Sequence, residues 1–246
     1  MYEIDLTIPP TRETGLLEIP LEMLRECCQP LDAGHIELDR NVWKKHIGSD
    51  GISKVDLSQY AVIKDQTGPS CTSNAITGAH ENICRYAGYD VPILSAASVF
   101  GFVGSRMGSS VQANIKRMQE VGCVPESMWP SSNIWTTRKP SGFDTEAPKY
   151  RLPEMDWCPN FAVATWMLLR GHPIHFGVQW GTGGHSIYGV AVVYREAKWG
   201  WKICNSWGRE WGTNGFGILW EPQINRGITS RYGAAALRAP THLPRR

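Results

Sequence analysis

A change of periodicity part-way along the chain restricts its fold more than any other feature. From residue 174, the runs IHFGVQW, SIYGVAVVY, GWKICNSW and FGILW are short, β-branched and aromatic, and glycines separate them. That is the signature of antiparallel strands. Upstream the period is helical. Ile76, Ala79, Ile83 and Ala87 recur at i, i+3, i+7 and i+11 behind the turn signal Gly68-Pro69-Ser70, with Gly88 as a stop. Val111, Ile115 and Met118 predict a second helix capped by Ser109 or Ser110 and ended by Gly122. Asn160 is placed to cap FAVATWMLLR, which ends at Gly171 and Pro173. Between them, residues 124–159 are rich in proline, tryptophan and serine and read as an ordered connection wrapped over a surface. A helical half followed by a sheet half is an α+β arrangement of two subdomains, with a cleft between them as the expected ligand site.

The predicted organisation is an extension over residues 1–50, a main domain over 51–238 and a tail over 239–246. Turns are expected at Pro9-Pro10, a helical patch at PLEMLRECC, and a joint at SDGISK. Lys plus Arg number 25 against 23 Asp plus Glu, a net charge of +2, too balanced to argue for nucleic acid or an anionic membrane as partner. No run approaches the ~18 apolar residues of a membrane helix, and MYEIDLTIPPTRETG has acids and prolines where a secretory signal would be apolar. A cytoplasmic or virion-associated location is the resulting expectation. Seven cysteines, an odd count with no CxxC pair, point to free thiols and away from a cysteine-rich metal site. His172 and His175 flank Pro173 at a turn and need not converge on a metal. No metal and no cofactor is expected.

Cys71 stands at a turn-to-helix junction rather than inside an apolar stripe. A helix N-terminus and a nearby imidazolium both lower a thiol's pKa and so favour the reactive thiolate. His185, in GTGGHSIYGVAVV, is the best histidine for that part, because a loop-to-strand junction holds a side chain rigidly. A histidine base needs an acceptor on its other nitrogen. Asn205, directly after an apolar strand, fits that need, and Trp207 is placed to shield the hydrogen bond.

DQTGPSCTSNA, GGHSIYGVAVV and CNSWGREWGTNGFGIL, in this order, resemble the papain family of cysteine peptidases. VDLSQYAVIKDQ, LSAASVF and GSSVQANIKRMQEVGCVPESMWP resemble further parts of that family, so the likeness spans about residues 55–221 and is closer to compact bacterial and phage versions. The resemblance implies a helical left and a β-rich right subdomain, hydrolysis of a polypeptide substrate, Cys71 as nucleophile, His185 as general base and acid, and Asn205 as its orienter. It implies that the Gln66 side chain and the Cys71 backbone N–H form an oxyanion hole, and that Gly108, Gly184 and Trp207 bind substrate. Two departures stand out: Gln66 lies five residues before Cys71 where the family usually has six, and Thr72 replaces a tryptophan. They leave a rival reading, a weak or inactive papain fold serving as a component of a larger assembly such as a phage particle. A second rival is cleavage of peptidoglycan cross-links or ubiquitin-like tails. Residues 1–50 are short and unlike an inhibitory prosegment, and are expected to pack outside the domain or against a partner. Cys71 is expected to form a thiolate–imidazolium pair with His185.

Overall fold

The computed structural model describes residues 1–8, 10, 12–31 and 36–241. β1 (Leu16–Leu17), α1 (Leu21–Arg25) and α2 (Arg40–Lys44) come first. A 3-10 turn at Leu57–Tyr60 leads to α3 (Cys71–Tyr86), α4 (Ala97–Val103), β2 (Ser109–Ser110) and α5 (Val111–Glu120). α6 (Phe143–Glu146), β3 (Met155–Trp157) and α7 (Phe161–Leu169) lie in and just after the long connection. The chain then forms β4 (Ile174–Trp180), β5 (Gly183–Arg195), β6 (Lys198–Cys204), β7 (Phe216–Trp220), α8 (Glu221–Ser230) and β8 (Ala234–Leu237).

Local chemistry sets these boundaries where the sequence suggested. The Ser110 hydroxyl accepts from the Ala113 N–H at 3.2 Å to open α5, and the Asn160 side chain accepts from the Val163 N–H at 3.0 Å to open α7. Past α3, Gly88 takes a φ of +84°, a conformation that an L side chain resists. α1 is shorter than the patch PLEMLRECC, and Cys27 and Cys28 follow it. All seven cysteines are free thiols.

β5 is the spine of the sheet. It pairs antiparallel with β4 from Trp180↔Gly183 to Ile174↔Gly189, and with β6 from Tyr188↔Cys204 to Arg195↔Lys198. An irregularity between Gly189 and Ala191 turns it from one partner set to the other. The strand order is β2-β1-β5-β4-β8-β3, with β6 and β7 continuing from β5. α3 is buried from Cys71 to Cys84 and packs on β5. Between these halves Glu81 is fully buried and paired: it accepts from Lys64 Nζ at 2.7 Å, Arg85 Nη1 at 3.2 Å and the Leu94 N–H at 2.8 Å.

The expectation that residues 1–50 pack outside the domain is not met. Ile4, Leu16, Leu24 and Trp43 are buried in its core. The Ile4 N–H donates to the Ile218 carbonyl at 2.9 Å, and Trp43 meets Trp199 edge-to-face at 5.3 Å. An apolar residue every several positions is enough to stitch an irregular segment onto a sheet without any periodic signal. The turn expected at Pro9-Pro10 and the end of the tail expected at 239–246 fall partly on residues outside the described set. Among the described residues no helix is long and apolar enough to cross a membrane.

Because Trp43 is fully buried against Trp199, Trp43→Ala is expected to lower unfolding free energy by about 3–5 kcal/mol. Urea denaturation checks this, and a change within ~0.5 kcal/mol would mean that the segment is not part of the cooperative unit.

Candidate active site

Cys71 is the first residue of α3 and has no exposed surface. The loop before it is tight: Gly68 has a φ of +55°, and the Ser70 hydroxyl donates to the Thr67 carbonyl at 2.7 Å. Across from it, His185 is the third residue of β5, held in register opposite Val178.

Asn205 fixes the state of His185. Its Oδ1 accepts from the Ser206 backbone N–H at 2.8 Å, a group that can only donate, so this amide atom is the oxygen. The same Oδ1 lies 2.8 Å from His185 Nε2, which therefore carries the proton. Nδ1 is left with its lone pair and has no hydrogen-bond partner. The Trp207 ring packs on the imidazole at 4.5 Å, and Trp180 meets it edge-on at 5.6 Å, so the His185–Asn205 bond lies under two indoles.

The Gln66 amide is fixed by the same logic. Its Nε2 donates to two carbonyls, Gly68 at 2.8 Å and Glu13 at 3.0 Å, while its Oε1 accepts from the Ser206 hydroxyl at 2.7 Å. Ser206 thus serves both groups: its N–H holds Asn205 and its hydroxyl holds Gln66.

The Glu13 contact belongs to a strap. β1 pairs parallel with β2 at Leu16↔Ser109 and Leu17↔Ser110, and antiparallel with β5 at Leu16↔Gly184. Residues 13–17 therefore run through the space between α3, β2 and β5. The fit leaves no room for side chains. A Cβ on Gly108 would fall on the Gly15 carbonyl, and one on Gly15 would fall on Pro69. A Cβ on Gly183 would fall on the Thr14 hydroxyl, and one on Gly184 would lie 2.5 Å from the Leu16 carbonyl. Arg12, just before the strap, forms an ion pair with Asp65.

Burial sets the electrostatics. Burial pushes the Cys71 thiol up, against backbone hydrogen bonds from Ser186 and Gly15 and contacts with Thr72 that pull it down. Burial pushes His185 down to about 4, against the Asn205 hydrogen bond that raises it. Near pH 7 both groups are neutral, so the expected thiolate–imidazolium pair is absent from this closed site. The physical reason is desolvation: complete burial withholds the water that a charged pair would need.

No family model and no curated sequence matches the chain. Solved structures do. Xylellain, a cysteine protease from Xylella fastidiosa, superimposes with a TM-score of 0.69 at 18% identity, over 94% of this chain and 98% of that one. Procathepsin L2 from the larval midgut of Tenebrio molitor gives 0.69 at 15% identity, over 97% and 84%. Bromelain from Ananas comosus, solved with the E64 inhibitor, gives 0.63 at 13% identity, over 76% and 98%. The chain has the papain-like fold.

Within this papain-like fold, Ser206 links Gln66 to Asn205, Asn205 bonds His185, Trp207 packs on His185, the backbone of Ser186 and Gly15 reaches Cys71, and Gly108 and Gly184 meet the strap. Three residues at the site carried no readable signal. Ser206 is visible only as part of the Asn-Ser-Trp-Gly motif. Ser186 gives its backbone to the Cys71 sulfur and its hydroxyl to His175 Nε2 at 2.8 Å. His175 is fully buried in β4, and burial pushes it down to about 3. Among the described residues no cluster of three metal-ligating side chains occurs.

Two expectations follow from burial. An imidazole that titrates lower folded than unfolded binds fewer protons in the native state. Stability from His185 is therefore complete above about pH 6.5 and is lost as pH falls toward 4. The loss from His185 is expected to be about 3 kcal/mol, and His175 adds in the same direction. Urea titrations at pH 4.5, 5.5, 6.5 and 7.5 check this, and an equal slope in His185→Gln would contradict it. Iodoacetamide at pH 7.5 is expected to alkylate the half-buried Cys27 well before Cys71, as read by peptide mass mapping.

Proposed function

We propose that this chain is a cysteine peptidase held closed by its own residues 13–17. With the strap displaced, water returns, and the half-charge of the α3 N-terminus favours a thiolate at Cys71. His185 Nδ1 takes the thiol proton. The sulfur attacks a peptide carbonyl carbon, and the oxygen that gains charge is received by Gln66 Nε2 and the Cys71 backbone N–H. The imidazolium then protonates the leaving amine. A water deprotonated by His185 hydrolyses the thioester and returns the thiol. Asn205 holds the ring without ionising. Trp207 shields that bond, and Gly108 and Gly184 let the substrate main chain lie close.

One observation carries this reading. Asn205 Oδ1 receives two donors, which leaves Nδ1 of His185 as a bare lone pair, while the next residue, Ser186, gives its backbone to the Cys71 sulfur. The buried His175 also has an unpartnered Nδ1, so it is the pairing of the His185 lone pair with the Ser186 contact to Cys71, and not a lone pair alone, that supports the reading.

The strap occupies both positions of the site. The carbonyl on Gln66 belongs to Glu13, whereas the backbone on the sulfur belongs to Gly15.

The complete burial of Cys71 and His185 also suits the rival reading, an inactive fold within an assembly. Leu16→Asp separates the two, because a buried carboxylate expels the strap. The variant is expected to hydrolyse a fluorogenic peptide that the parent leaves intact, with native far-UV circular dichroism. Adding Cys71→Ala should reduce that rate by on the order of 10⁴ or more. A folded Leu16→Asp protein whose Cys71 alkylates readily but which cleaves no peptide would favour the scaffold.

A further inference from the structure

Bordering Asn205 is a cavity of about 10 Å³, the size that holds a single water, with Asn74, Ser186, Tyr188 and Cys204 among its other walls. Three of its lining residues carry a polar atom whose hydrogen bonding is incomplete. Asn205 Oδ1 is taken by His185 and Ser206, so Nδ2 is a donor, and it has no partner among the described residues. Asn74 Nδ2 donates to the Ser70 carbonyl and the Ser70 hydroxyl, both at 3.0 Å. A carbonyl can only accept, so Asn74 Oδ1 is an acceptor, and it too has no partner among the described residues. The Tyr188 hydroxyl has nothing better than the Cys204 thiol, a weak partner. All three residues are buried. Asn74 and Gly78 sit one turn apart on the same face of α3, and a Cβ on Gly78 would lie 3.4 Å from the Tyr188 hydroxyl. The tyrosine therefore crosses the helix face that bears Asn74. A buried donor and a buried acceptor, each costly to leave unpaired, are the two ends of one bridge.

We propose that this cavity is the site of a resident water that accepts from Asn205 Nδ2 and the Tyr188 hydroxyl and donates to Asn74 Oδ1. Asn74 is then a positioning residue that joins the two halves of the active site. Its Nδ2 holds Ser70, the residue before Cys71. Through the water its Oδ1 holds the amide that orients His185. The purpose of the bridge rests on the peptidase reading, but the water and its hold on Asn205 are tested without catalysis.

The first measurement uses the unmutated full chain. Rotating-frame Overhauser spectra are expected to show cross-peaks between the water resonance and the Asn205 side-chain amide protons, with the sign of a dipolar contact rather than of exchange. Asn74→Leu, which removes the acceptor and fills the cavity, is expected to abolish them. The second measurement is the solvent-exchange rate of the His185 Nε2–H proton. Asn74→Leu is expected to raise it about five-fold, the scale of one lost hydrogen bond. In an Asn205→Ala background the same change should add nothing, because Asn74 acts through Asn205. Tyr188→Phe, which withdraws one of three partners, should keep the cross-peaks and raise the rate about two-fold. Absence of the cross-peaks from the unmutated chain would overturn the proposal whether or not any variant folds. Equal acceleration by Asn74→Leu in both backgrounds would assign its effect to the Ser70 loop and overturn the positioning role. The predicted cross-peaks and rates in a chain that hydrolyses no peptide when its strap is expelled would leave the bridge standing and remove the peptidase reading instead.

Discussion

The Glu13 carbonyl accepts from Gln66 Nε2 while Gly15 lies against the Cys71 sulfur, so one short segment covers both polar positions of the cleft. Much else in the structure serves that placement. The glycines at 15, 108, 183 and 184 stand where the strap and its walls approach too closely for a Cβ. The flanks are tied on both sides. Upstream, Ile4 bonds to Ile218, and the Trp180 Nε1–H donates to the Ile8 carbonyl at 3.0 Å. Downstream, Glu18 pairs with Arg231, and Leu24 is fully buried. The strap is thus a span between two anchored ends.

Closure has a chemical consequence as well as a steric one. In a dry site a thiolate and an imidazolium each lose their hydration, and the neutral thiol and imidazole become the favoured forms. In the proposed reading the strap, as part of that burial, acts on the protonation of Cys71 and His185 and not only on access to them. The polar frame around the pair is already organised. Ser206 orients both amides, Asn205 fixes the histidine tautomer, and β5 carries His185 and Ser186 in register with β4.

The sequence made much of this visible, for identifiable reasons. Cys71, His185 and Asn205 each stand at an element boundary marked by turn chemistry, where the local signal is strongest. α3, α5 and α7 and the four strands β4 to β7 carry full periodicity and clear stops. β1 and β2 are two residues long, too short to alternate, and β8 is AAAL, without the β-branched residues that mark strands. α8 carries Pro222 and Gly227 and is given no element by the sequence, although Pro222 sits in its first turn, where a missing N–H costs nothing. The strap was hidden for a different reason. Nothing in Glu-Thr-Gly-Leu-Leu states which distant edges it will pair with, since strand partners are set by tertiary contacts.

Nitrogen-15 NMR of the His185 ring tests the link between strap and charge most directly. In the intact chain at pH 7 the account predicts a neutral imidazole protonated at Nε2. With the strap expelled by Leu16→Asp it predicts an imidazolium, protonated on both nitrogens, that reverts to neutral when Cys71 is also changed to Ala. An imidazolium in the closed chain, or a ring that stays neutral after the cleft has opened, would contradict it.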